Sequence, residues 1–71
     1  MNDLDTLNEL SPGWTGIANG LICNPDHIAG GIIDKTILTG EWFVIFNDDR
    51  NTLHGFASRG EAVQAFIEAA E

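Results

Sequence analysis

Trp42-Phe43-Val44-Ile45-Phe46, then Asn47-Asp48-Asp49-Arg50-Asn51, then Leu53 to Ala57: this succession in the second half of the chain decides the fold. The first run is the densest in aromatic and β-branched side chains, the types that pack well on a pleated surface. Five polar residues separate it from a second short apolar run, the pattern of two strands joined by a longer hairpin loop. At Ser58 the period changes. Val63, Phe66, Ile67 and Ala70 recur at the i, i+3, i+4 and i+7 spacing of one helix face. Ser58 stands three residues before Glu61, as in a capping box, where hydroxyl and carboxylate each satisfy an orphan N–H of the helix start. The spacing predicts a hairpin over 41–57 and a helix over 59–70, packed on it through Val63, Phe66 and Ile67.

Working outward, Ile32 to Leu38 reads as a further strand, with Thr39-Gly40 as a tight connection into Glu41. The expected architecture is therefore α+β: an antiparallel meander of strands 32–38, 41–47 and 52–57 with the C-terminal helix on one face. Three strands and a helix are close to the minimum for independent stability. Trp14 to Ala18 and Leu21 to Cys23 flank Asn19-Gly20, the dipeptide best suited to a type I′ turn. A hairpin there would bring the sheet to four or five strands, although Gly16 and the brevity of 21–23 weaken it. Asn24-Pro25-Asp26 looks like a helix entrance, cut short by Gly30-Gly31. Leu4, Leu7 and Leu10 suggest a short N-terminal helix, capped by Asn2 or Asp3 and stopped at Ser11-Pro12-Gly13. So short a helix holds only if its leucines dock, so residues 1–13 are either a loosely docked helix or a frayed end.

On the strand 41–47, Trp42, Val44 and Phe46 point one way and Phe43 and Ile45 the other. Both faces are apolar, and one helix covers only one of them. The other calls for the N-terminal half of the chain, a second copy, or a partner.

Seventy-one residues make a single small domain. A chain of this length buries only about 60% of the surface it exposes when unfolded, so its stability is marginal. Cys23 is the lone cysteine, which rules out an internal disulfide and fits a reducing, cytoplasmic setting. The first residues carry Asp3, Asp5 and Glu9 instead of a basic start and an apolar run, unlike a signal peptide. No apolar stretch approaches the roughly 20 residues of a membrane-spanning helix. Eleven acids face only Lys35, Arg50 and Arg59, for a net charge of -8. That field disfavours nucleic acid and anionic membranes as direct partners and favours basic surfaces. The plainer reading is that the charge keeps a small domain soluble.

Three constellations invite chemistry. Cys23, Asp26 and His27 offer thiol, carboxylate and imidazole within five positions, but the other histidine, His54, is distant in sequence. A Cys–His dyad also needs an orienting group and an oxyanion site, for which a core of this size leaves little room. Cys23 reads better as a small hydrophobe that is dispensable for activity. Asn47-x-Asp49-x-Asn51 imitates the opening of a calcium loop, yet Ser58 stands where the closing glutamate belongs and the sixth-position glycine is missing. No catalytic, cofactor or metal residues are assigned. On the last helix, Glu61, Gln64, Glu68 and Glu71 form a polar stripe, acidic but for Gln64, opposite the apolar face. With Asp48 and Asp49 it forms a candidate patch for a basic partner, and Trp14, in a glycine-flanked segment, is the candidate apolar anchor.

A short, strongly acidic chain in which Trp42 to Phe46 leads through Gly55-Phe56-Ala57-Ser58-Arg59-Gly60-Glu61-Ala62 into a terminal helix resembles the small α+β proteins encoded by bacteriophages. The likeness covers roughly the C-terminal half and is one of style and size. It implies a host cytoplasmic setting and a non-enzymatic inhibitor or regulator that binds a host nucleic-acid-handling protein such as RNA polymerase. An anti-CRISPR or nuclease inhibitor acting as a DNA mimic is the alternative within that class. Outside it stand a small metal-binding or Cys/His enzyme-like protein using Cys23, His27 and His54, and a homodimer formed for stability alone.

Overall fold

A computed structural model describes residues 2–70. The helix α1 (Asp3–Leu10) is followed by five strands, β1 (Thr15–Gly16), β2 (Ile22–Cys23), β3 (Gly31–Lys35), β4 (Trp42–Phe46) and β5 (Leu53–Phe56), and by the helix α2 (Arg59–Ala70). The strands form one antiparallel meander in the order β1-β2-β3-β4-β5. The fold is α+β, as the change of period at Ser58 predicts, and its sheet has the larger strand number. The β1–β2 hairpin exists. Asn19 and Gly20 both take the positive φ that an Asn-Gly turn supplies, at 68° and 82°, although a short 3-10 turn over Ala18–Gly20 lengthens the loop.

Register explains the core. Gly16, Ile22, Ile33, Val44 and Leu53 lie side by side across the sheet, and Ile22, Ile33 and Val44 are fully buried. Onto this row α2 sets Ala62, Val63 and Phe66, with Ile67 partly buried beside them, and α1 adds Leu7 with Leu4. Phe66 is held between two rings. It stacks on Phe46 at 5.2 Å and takes the edge of Trp14 at 5.1 Å. The docked α1 is capped as expected, Asp5 N–H donating to Asn2 Oδ1 at 2.9 Å, but Leu10 remains exposed.

Three local expectations are corrected. The strand expected over 32–38 ends at Lys35, because Thr39-Gly40 is not the turn. A two-residue type I′ loop needs two positive φ values, and only Gly40 supplies one, at 75°. The β-branched Thr39 resists that conformation, so the loop widens to 37–40 and Lys35 pairs with Trp42. No helix starts at Asn24. Its side chain is instead buried and donates to the carbonyls of Ser11, at 3.3 Å, and Pro12, at 3.1 Å. Nor does the N-terminal half cover the second face of the sheet, since α1 joins α2 on the first.

A chain of polar contacts fixes that choice. Asn8 Oδ1 accepts from the N–H groups of Gly13 and Trp14, Trp14 Nε1 donates to Ser11 Oγ at 3.0 Å, and Ser11 Oγ donates to the Ala29 carbonyl. Asn47 Nδ2 then ties the carbonyls of Asn24 and His27 to the end of β4. Every buried side-chain polar atom among the described residues has a partner, which is what makes burying Ser11 and Asn24 tolerable.

Candidate binding surface

Trp14 is not an exposed anchor. It is 3% exposed, its ring lies against Phe66 and its indole N–H is satisfied by Ser11. The segment is hard to assign from sequence because Gly13, beside Trp14, serves a close contact with Asn24 rather than mobility. A side chain at Gly13 would meet the Asn24 carboxamide at 2.8 Å, and one at Gly30 would meet the Asn24 carbonyl oxygen at 2.3 Å.

The four acids of the candidate patch that lie among the described residues divide into two kinds. Glu61 completes the helix start: its Oε2 accepts from the Ala57 N–H at 2.7 Å, and its own N–H donates to Ser58 Oγ at 3.3 Å. Asp48 accepts from the Arg50 N–H at 3.0 Å and pairs with its guanidinium at 3.0 Å. Arg50 in turn lies over the Phe46 ring and donates to the Ala69 carbonyl, placing a cation where the α2 dipole is negative. Asp49 and Glu68, by contrast, are exposed and have no ion pair among the described residues. Glu61 and Glu68 line one groove with Gly55, Phe56, Gln64 and Ala65, between α2 and the edge strand β5. Glu71 lies outside the described residues.

The meander places the two ends of this surface. The β4–β5 turn carrying Asp48 and Asp49 meets the C-terminal end of α2 through Arg50, while Glu61 stands at the other end, beside the β3–β4 turn side of the sheet. Of the three cations, Arg50 and Arg59 are each engaged, Arg59 with Asp3 at 3.1 Å.

Cys23, His27 and His54 are not brought together. Cys23 is on β2 and His54 on β5, three strand spacings apart, roughly 14 Å. His27 Nδ1 accepts from the Ala29 N–H within its own turn. Among the described residues no group of three or more His, Cys, Asp or Glu could hold a metal ion, and no helix is long and apolar enough to cross a membrane.

Sequence reasoning missed Ile37 and Leu38. Assigned to a strand, they stand instead at the tip of the β3–β4 hairpin, 98% and 97% exposed. The signal was there in Thr39, which cannot supply the second positive φ of a tight turn. The second sheet face is also open. Thr15, Cys23, Ile32 and Ile45 form one row across it, and Asp34, Phe43 and His54 another. No protein-family model matches this chain, and no curated protein and no solved structure matches it either.

Proposed function

We propose that this is a small acidic interaction module, of the bacteriophage type, that binds a basic surface of a larger nucleic-acid-handling protein such as host RNA polymerase and regulates it by occlusion. The observation that carries this reading is the net charge of -8 on 71 residues. Two of its three cations are already held by the protein's own acids. Exposed carboxylates such as Asp49 and Glu68 are then available for charge-assisted hydrogen bonds to Lys and Arg of the partner. Asp48 and Glu61 shape the surface rather than seek a partner, since both are engaged locally.

Association of such a pair is steered by charge, and the advantage fades as the Debye length falls from about 10 Å at 0.1 M salt to about 3 Å at 1 M. Binding kinetics against purified bacterial RNA polymerase, and against proteins captured at low but not high salt, test the reading. The expected result is an on-rate that falls at least about tenfold between those salt concentrations, and again on reversing Asp49 and Glu68 to Lys, with the off-rate nearly constant. An on-rate indifferent to both leaves the acidity as a solubility device and removes the proposal.

A further inference from the structure

Ile37 and Leu38 have no part in holding their own hairpin. The loop is closed by Thr36 N–H to the Glu41 carbonyl at 2.8 Å and Gly40 N–H to the Thr36 carbonyl at 3.0 Å. The Thr36 and Thr39 hydroxyls bond to each other, and Thr39 Oγ1 accepts from the Glu41 N–H. All of these are backbone or threonine groups. The two aliphatic side chains could be replaced by polar ones without loss to the turn, and polar residues are what such tips usually carry. The same bonds hold the tip in one conformation, which lowers the entropy lost when it is bound.

The meander puts the β1–β2 turn at the same end of the sheet, where Ile17 is also more than half exposed. Asn19 from that turn and Ile37 line a shared notch with Asp34, Lys35, Thr36 and Gly40. Beside the tip stand Asp34, the exposed Lys35 and the exposed Glu41. The result is an apolar knob whose base carries two acids against one lysine, on a chain with a net charge of -8.

We infer that Ile37 and Leu38 are the apolar anchor of the binding surface, inserting into an apolar pocket rimmed by Lys or Arg on the partner protein. The inference rests on the proposed function and adds where contact is made and what the receiving site is like. A second copy is a poor occupant. Two tips fall well short of the roughly 800 Å² per partner that a stable interface needs, and each copy carries the same charge of -8. A lipid surface is a poor one too: the charge is repelled by anionic headgroups, and the tip has no Trp or Tyr to seat at the interface. A cation-rimmed pocket complements both the knob and the acids at its base.

The test places a photo-crosslinking residue at position 38 and, in separate chains, at 45 on the open sheet face and at 68 on the acidic stripe. Each chain is irradiated in bacterial lysate and its adducts are mapped by mass spectrometry. Support requires adducts from position 38 to one protein, at a peptide of apolar residues flanked by Lys or Arg. The I37S/L38S double variant must also bind that protein roughly 100-fold more weakly, mainly through a faster off-rate, the scale expected for two aliphatic side chains left in water. That variant should melt with the wild type, since neither side chain is buried; the single variant L38S is the control if it does not. Any lack of adducts from 38 overturns the inference, as does adduct formation only with a second copy. Sedimentation of the wild type but not I37S/L38S with phosphatidylcholine vesicles overturns it in favour of a membrane. The fate of the proposed function is read separately. Salt-dependent association without position 38 adducts leaves it standing, and loss of both ends it.

Discussion

The two faces of the sheet start from similar sequence and end differently. On one, Ile22, Ile33, Val44 and Phe46 are buried under both helices. On the other, Cys23, Ile32 and Phe43 are half-buried and Ile45 is 40% exposed, with nothing from the described chain above them. Alternation on β4 establishes that both faces are apolar, but it does not say which one receives cover. That is settled by residues far from the strand. Trp14 packs its ring edge on Phe66, Leu7 joins the same core, and the bonds through Asn8, Ser11 and Asn24 hold the N-terminal segment on that side. The open face tolerates its position because Thr15, Asp34 and His54 are interspersed with its apolar residues. Thr15 ends the row of Cys23, Ile32 and Ile45, and Asp34 and His54 flank Phe43.

The covered face should fail first and worst. Phe66 is 1% exposed and touches rings from both the sheet and the N-terminal segment. Phe66→Ala is expected to cost about 3–5 kcal/mol, close to the whole stability of a domain this small. Thermal or urea unfolding checks it, and an unchanged midpoint would show that the two helices do not close on a common core.

Gly31 sharpens the comparison at the backbone. A Cβ there would lie 2.2 Å from the carbonyl oxygen of Ile45 on the neighbouring strand, so β3 and β4 would have to separate. Gly31→Ala should destabilise by about 1–3 kcal/mol, the range of overpacked cores. Gly16→Ala is its control, because a Cβ there meets Leu4 Cδ1 at 3.5 Å and Ile22 Cγ2 at 3.9 Å, both ordinary contacts. Equal denaturation midpoints for the two variants would contradict the tight approach at Gly31.

Legibility in the sequence followed the range of the forces involved. The hairpin, α2 and the faces of Val63 and Phe66 rest on periodicity within a dozen residues, and they are found as read, within a residue or so at each end. Asn24 was misread because Asn-Pro is a local helix signal, whereas the carbonyls it satisfies are a dozen positions away. Trp14 was misread for the same reason: its partner Phe66 is in the last helix. In the candidate site, Glu61 was legible as a cap, which is local. The engagement of Asp48 by Arg50 was equally near in sequence but needed the loop conformation. Ile37 and Leu38 look like strand residues by composition, and only the shortage of positive-φ residues next to them marks the wider turn.

The smallest effect is expected on the open face. Ile45→Thr keeps a β-branched side chain on β4 and so keeps its fit to the pleat. What is lost is apolar area at a residue already 40% exposed, worth less than about 1 kcal/mol. For a domain of this size that corresponds to a fall in melting temperature of at most about 8 °C. It should be the same at low and high protein concentration. If a second copy covered this face, the melting temperature of the wild type would rise with concentration, since association stabilises the folded state. Ile45→Thr would then abolish that rise. A concentration-dependent melt would therefore overturn the distinction between a covered and an open face, and would make the row of Cys23, Ile32 and Ile45 an interface.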